Sequence, residues 1–174
     1  MGNFYTNFSI LGVQACEALD AARSLHRTAY VVQSRTGDSV LYDSACDQQD
    51  VEEIERLGSA LSGRLKAPVV ACLNHDDDHL LLWVFRDEVK LGFYQGCFDA
   101  PTFSWALTRA RGGVMAYPPV LVVLAWPIVL FQGLRHKALA SMLSLPSIAV
   151  GFGYKYLSGG EIPFGYSKDE ILSA

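Results

Sequence analysis

Apolar and polar residues alternate near the start of the chain, in the stretch Phe4-Tyr5-Thr6-Asn7-Phe8-Ser9-Ile10, and this period of two predicts a β-strand. Residues 13–23 follow Gly12, are rich in alanine and lack both Gly and Pro, which predicts a short helix. Residues 28–34 and 39–43 are rich in Val, Leu and Tyr. Turn-forming residues, including Gly37, lie between them, so these two stretches are predicted to form a β-hairpin.

The clearest helical pattern covers residues 50–66. Its apolar residues recur at spacings of three and four and form one stripe: Val51, Ile54, Leu57, Leu61 and Leu65. Asp47 or Asp50 can cap the start of this helix, where several glutamates meet the positive end of the helix dipole. We therefore expect a helix that buries one face against a sheet.

A short and wholly apolar run follows at residues 69–73. Strands buried on both faces have this pattern, so we place it in the interior of the sheet. Residues 79–85 and 89–95 predict a second hairpin, which turns at Arg86-Asp87-Glu88. The first hundred residues thus predict the element order β-α-β-β-α-β-β-β.

The last third of the chain has weaker patterns. Residues 134–143 predict a helix that stops before Pro146, residues 147–157 fit either a helix or a strand, and residues 158–163 fit a loop. We predict one α+β domain over residues 1–174. Its sheet has about six strands in a mixed, mostly antiparallel arrangement, packed by helices, and its C-terminal part is mainly helical.

Charge divides the chain into an acidic and a basic part. Residues 1–100 hold 15 acidic and 8 basic residues, and residues 101–174 hold 3 acidic and 6 basic residues, which gives the formal net charge of −4. The pI near 5.5 argues against general nucleic-acid binding, which requires a broad basic surface. A chain divided in this way either pairs its two halves electrostatically or offers one half to a partner, and the acidic half suits a basic partner.

The cysteines and the short motifs bear on chemistry. Cys16, Cys46, Cys72 and Cys97 form no CxxC pair, so we expect reduced, mostly buried thiols in a cytoplasmic protein. The chain has no GxSxG, Walker A or HExxH motif. We therefore assign no catalytic residue and expect no cofactor.

One dense polar stretch, Asn74 to His79, has chemical potential. His75, Asp76, Asp77, Asp78 and His79 are candidate binding residues, and His75, Asp76, Asp78 and His79 are also candidate metal ligands. Against a metal site, successive strand residues point to opposite faces, and Asn and Asp commonly stabilise turns by bonding to their own backbone. A structural hairpin turn is the favoured interpretation, with a polar recognition loop as the second.

The other notable stretch is the apolar run Val120 to Phe131, within the uncharged residues 114–134. Its strict apolar length is shorter than the roughly twenty residues of a spanning helix, and Pro127 interrupts it. We expect a buried core segment. The alternative is a membrane-surface or partner-binding segment, which would use Val120, Leu121, Trp126 and Phe131.

Three blocks together resemble a family of small, uncharacterised bacterial proteins of similar length. They are MGNFYTN at residues 1–7, ACLNHDDD at residues 71–78, and VGFGYKYL at residues 150–157 followed by GEIP at residues 160–163. The resemblance covers most of the chain except residues 100–130. It implies a single bacterial domain and carries no activity to this chain.

The sequence thus leads to three functional hypotheses. The favoured one is a non-catalytic, cytoplasmic protein-interaction protein, for example an immunity or antitoxin-like protein with a basic partner. The second is a metal-dependent enzyme or binder centred on the turn from His75 to His79. The third is a peripheral membrane protein that uses residues 114–134.

Overall fold

A computed structural model describes residues 4–75, 79–95, 153–163 and 165–174. Within these ranges, the strands are β1 Tyr5–Ile10, β2 Ala29–Gln33, β3 Ser39–Asp43, β4 Val69–His75, β5 His79–Arg86, β6 Val89–Gln95 and β7 Ile171–Ser173. The helices are α1 Ala15–Ser24, α2 Val51–Leu65 and α3 Tyr154–Ser158. Short 3-10 turns occur at Cys46–Gln48 and Lys168–Glu170. The element order predicted for the first hundred residues is confirmed.

The described strands form one antiparallel sheet in the order β6-β5-β4-β1-β3-β2-β7. The α+β class is therefore confirmed, with seven strands where the pattern predicts about six. The additional strand, β7, has three residues and pairs with β2, too short a segment for alternation to reveal it. Strand β4 lies between β1 and β5, so the apolar run does occupy the interior of the sheet.

Helices α1 and α2 cover one face of the sheet. The main core lies between these two helices and the sheet. It includes Phe8 and Ile10 of β1, Trp83 of β5, and Ile54 and Leu61 of α2. The opposite sheet face carries two smaller clusters, one around Val70 and Leu82 and one in which Leu157 of α3 packs with Val40 and Tyr42.

Strand β1 differs from its sequence pattern in one respect. Alternation in a strand usually marks a polar face in water, but all six residues of β1 are buried, including the polar Thr6 and Ser9. The reason is position, because β1 is the middle strand of a sheet with buried side chains on both faces.

The two ends of helix α2 are marked by a capping side chain and by a change of backbone conformation. The side chain of Asp50 accepts a hydrogen bond from the backbone N–H of Glu52, which confirms Asp50 as the cap. Lys66 ends the helix in the left-handed conformation with φ of 51°.

Within the helix, Gly58 lies directly against the ring of Phe85, where a Cβ atom would come within 2.5 Å of the ring.

The predicted helix at 134–143 and the apolar segment at 114–134 lie outside the described residues. For the ambiguous stretch at 147–157, the described residues from Tyr154 onward form helix α3. In the described ranges, none of the helices combines the length and the apolar character that crossing a membrane requires.

Candidate functional site

A buried ion network fixes one end of the sheet to the start of α2. Arg27, just after α1, donates two hydrogen bonds to the carboxylate of Asp43 at the end of β3, at 2.9 and 2.5 Å. A third, from its Nη1 atom to Oε1 of Glu53 in α2, also measures 2.5 Å. Asp43 additionally accepts hydrogen bonds from the backbone N–H groups of Ala45 and Cys46. The network therefore joins β3, the following 3-10 turn and α2.

The network shifts the pKa values of Arg27 and Glu53 in the direction that keeps both groups charged. The hydrogen bonds that Arg27 donates to Asp43 raise the pKa of its guanidinium above the usual value, despite partial burial. Arg56 and Arg27 hold the pKa of Glu53 below the usual range of a glutamate. Because Asp43 and Glu53 are paired with arginines of the same chain and are largely shielded from water, this part of the acidic half serves as structural support.

A second group of residues lies where β4 ends, and we name it the His75 corner: His75, its contact residues Phe4 and Gln49, and Val51, which follows Gln49 by two positions. Nε2 of Gln49 donates a hydrogen bond to the backbone carbonyl of Asn74 at 2.7 Å, so Oε1 of the same amide faces His75. The distance from this Oε1 to Nδ1 of His75 is 2.5 Å. An amide oxygen only accepts hydrogen bonds, so Nδ1 of His75 must be the protonated nitrogen. In neutral His75, Nε2 then carries the lone pair.

Exposed apolar side chains accompany this histidine. The ring of Phe4 stands edge-on to the imidazole, with centroids 4.7 Å apart and an interplanar angle of 88°. The side chain of Phe4 is 45% exposed, and that of Val51, two residues after Gln49, is 42% exposed. Asp50 and Glu52, which flank Val51, are exposed carboxylates. The corner thus combines an aromatic ring, an aliphatic side chain, an imidazole acceptor and negative charge.

Asp47 links this end of the sheet to helix α3. Its carboxylate accepts a hydrogen bond from the backbone of Lys155, in the first turn of α3, while partial burial raises its pKa above the usual value. Gly153, the residue before α3, offers no side-chain cap of its own. A Cβ atom at Gly153 would lie 3.1 Å from Oδ1 of Asp47, so glycine permits this close approach. Asp47 acts as a helix cap supplied from elsewhere in the chain.

The residues predicted to form the site are only partly described. His75 lies exposed at the end of β4, and its directly opposite partner in the β4–β5 register is His79. Asp76, Asp77 and Asp78 lie outside the described residues. Among residues that are described, His, Cys, Asp and Glu form no group of three or more that could hold a metal ion. The metal prediction therefore remains a prediction.

Two further predictions concern the apolar run and the cysteines. Val120, Leu121, Trp126 and Phe131 lie outside the described residues, as does Cys97. Cys16, Cys46 and Cys72 form no disulfide; the first is exposed and the other two are buried. Burial raises the pKa of the Cys72 thiol to about 12 and raises that of Cys46 as well, so both stay protonated at neutral pH and neither supplies a thiolate nucleophile.

Three members of the His75 corner carry no signal that sequence reasoning could use. Phe4 is part of the predicted strand, but it precedes β1 in the structure and is exposed, where the pattern predicts an inward-facing residue. Gln49 meets His75 across 26 positions of sequence, a contact that only the packing of α2 beside β4 creates. Val51 belongs to the predicted apolar stripe of α2, but its position at the first turn leaves it in solvent.

No protein-family model, curated protein or solved structure matches this chain. The structure therefore defines the fold class of the described residues, an α+β domain with one antiparallel sheet, and does not define a protein family. The resemblance to a bacterial family remains an expectation from the sequence.

Proposed function

We propose that this chain is a non-catalytic protein-interaction domain that binds a basic protein partner at the His75 corner. The observation that carries the proposal is the exposed ring of Phe4 against His75, which Gln49 holds by a hydrogen bond, with the exposed Val51 two residues after Gln49. Exposed aromatic groups on a rigid support are typical of the residues that dominate binding energy at interfaces. The neighbouring carboxylates favour a positively charged partner, and they would speed its association.

Rigidity supports the proposal, because a preformed surface loses little entropy on binding. His75 is held by Gln49, Gln49 is held by the backbone of Asn74, and the start of α2 is held by the buried Arg27 network. Nε2 of His75 can accept a hydrogen bond from a lysine or arginine of the partner. An immunity or antitoxin-like protein, which neutralises a basic toxin, is the concrete form of this function that we favour.

The cytoplasm is the compartment that we propose for this interaction. The cysteines in the described ranges are free thiols, including the exposed Cys16. Free thiols of this kind persist most readily in a reducing compartment. The acidic pI supports a protein partner over nucleic acid.

The test is capture of binding proteins from a lysate of the native host with the tagged wild-type chain and two variants. Phe4→Ala removes an exposed ring of the corner, whereas Val89→Ala removes an exposed apolar side chain, 56% exposed, at the opposite end of the sheet. A basic protein retained by wild type and Val89→Ala, but lost with Phe4→Ala and at high salt, supports the proposal. Equal capture by all three proteins would contradict it.

A metal-binding function is the second candidate, and one observation favours it. His75 and His79 are directly opposite in the register of two antiparallel strands, which is a spacing at which residue pairs interact. Titration of the wild-type chain with Zn²⁺ and Ni²⁺, monitored by calorimetry, tests it. Saturable binding that is lost in both His75→Ala and His79→Ala, and kept in His26→Asn, supports this function. No binding of either ion by the wild type would remove it.

A further inference from the structure

The outer edge of β2 lacks the features that usually keep strands from pairing with other molecules. Its five residues, Ala29-Tyr30-Val31-Val32-Gln33, contain no charge and no proline, and their pairing with β3 shows no bulge. Exposed edges of this composition recruit other strands, and natural proteins protect them with charges, proline, bulges or a covering segment. In this chain the protection comes from β7, which pairs with Tyr30, Val31 and Val32.

Strand β7 is held by a short ladder and by side chains that are only partly buried against the core, Ile171 on one sheet face and Leu172 and Ala174 on the other. Ile171 and Leu172 are only partly buried, and Ser173 is exposed. Beyond the ladder, Arg23 donates a hydrogen bond to the carbonyl of Ser173 at 3.2 Å. The N–H of Ala174 donates one to the carbonyl of Ala29 at 2.8 Å. A ladder of three residue pairs and side chains that are incompletely buried place such a segment among the parts of a protein that open first.

The residues that lead into β7 are also held at the surface. Glu170 forms an ion pair with Arg35 at 2.8 Å, and the two side chains are 35% and 65% exposed. The guanidinium of Arg35 also lies 4.6 Å from the ring centre of Tyr166 and donates to the carbonyl of Gly165. Glu170 and Ser167 form a capping box around the 3-10 turn. Water competes for contacts of this kind, so they hold the segment only modestly, and their loss should favour opening of β7.

We propose that β7 is a releasable cover, and that its release allows β2 to pair antiparallel with β2 of a second copy of this chain. Pairing about a two-fold axis at Val31 sets Val31 opposite Val31 and Tyr30 opposite Val32. Both pairs belong to the aromatic and β-branched combinations that stabilise antiparallel sheets, and no like charges oppose each other within the strand. The self-pairing spans five residues, whereas β7 pairs with only three. This association does not depend on the partner proposed for the His75 corner.

Two proline variants of the full chain separate release of β7 from a general disturbance of the segment. The hydrogen bond from Ala174 to Ala29 fixes the alternation of the ladder, so the next N–H that points to β2 belongs to Leu172, opposite Val31. Leu172→Pro removes this donor. Ser173→Pro is the matched control, because the N–H of Ser173 points away from β2 and its loss breaks no ladder bond.

The readouts are mass by light scattering and deuterium exchange at residues 29–33, both over a wide range of protein concentration. We expect Leu172→Pro to form dimers in which the amides of β2 become more protected as concentration rises, and Ser173→Pro to behave as wild type. A monomeric Leu172→Pro at every concentration would overturn the proposal, whether its β2 amides exchange quickly or stay protected. In the first case the free edge does not pair, and in the second β7 is not releasable.

A milder variant keeps the proposal testable should Leu172→Pro fail to fold. Glu170→Ala removes the ion pair with Arg35 and the capping box, and it leaves the residues of β7 themselves unchanged. We expect exchange of the Val31 amide, which points to β7, to rise about fivefold at low protein concentration and to slow again at high concentration. Faster exchange that is independent of concentration would overturn the self-pairing.

Discussion

Arg27 is the residue whose loss should most clearly separate buried from exposed ion pairs in this protein. Its side chain is 12% exposed, and its partners Asp43 and Glu53 are 1% and 19% exposed. Arg27→Ala leaves the Asp43 carboxylate inside the protein with only the backbone donors of Ala45 and Cys46. Removing one member of a buried pair costs about 3–5 kcal/mol, because the remaining charge stays desolvated.

The partial exposure of Glu53 places our expectation at about 3 kcal/mol, the lower end of that range. For a chain of this size, we expect the melting temperature to fall by about 6–12 °C. Arg56→Ala is the matched control, since Arg56 pairs with the same Glu53 but is 70% exposed. Its loss should cost about 0.3–0.5 kcal/mol. Urea denaturation of the three proteins, with the free energy of unfolding extrapolated to water, measures both values.

The pH dependence of stability provides a second check on the same network. Because Arg56 and Arg27 lower the pKa of Glu53 in the folded protein, its carboxylate contributes stability above the unfolded pKa of a glutamate. That contribution is lost as the pH falls through the lower, folded pKa. Arg27→Ala should therefore show a smaller loss of stability on acidification than wild type. Equal costs for Arg27→Ala and Arg56→Ala, with unchanged acid dependence, would refute the reasoning.

Two further predictions concern helix α2. Gly58→Ala should destabilise the protein by about 1–3 kcal/mol, because the added methyl group meets the ring of buried Phe85 at 2.5 Å. In contrast, Gly63→Ala should cost less than Gly58→Ala, since its methyl group meets the side chain of Glu88, which can rotate toward solvent, and alanine favours the helix. Thermal melts of the two variants check the difference, and equal destabilisation would contradict it. Asp50→Ala should cost about 1 kcal/mol through loss of the cap, whereas Asp50→Ser should restore most of it; equal melting temperatures for these two variants would argue against capping.

The local elements could be predicted from the sequence because each depends on nearby residues. The stripe of α2, its cap at Asp50 and the hairpin around Asp87 and Glu88 are determined within a few positions. Asp87 and Glu88 both have positive φ, at 50° and 68°. The sequence of this hairpin therefore does not reveal the backbone conformation of its turn. The sequence does not predict strand β7, because this strand is stabilised by pairing with β2, which lies far away in the sequence.

The candidate site was predictable only at its centre. His75 stands out because it is a histidine in a dense polar stretch, but its environment is created by Gln49 and Phe4 through tertiary packing. The Arg27 network escaped for the same reason, since it joins residues 16 and 26 positions apart. Long-range pairing of this kind leaves no local pattern for sequence reasoning to detect.

Binding at the His75 corner is tested most directly by affinities for the captured basic protein once it is purified. Calorimetry would compare the wild-type chain with Phe4→Ala, His75→Ala and Val89→Ala. We predict that each corner variant raises Kd by about tenfold or more, as loss of a central interface residue does, while Val89→Ala leaves it unchanged. Equal dissociation constants for wild type and both corner variants would contradict the assignment of the binding surface.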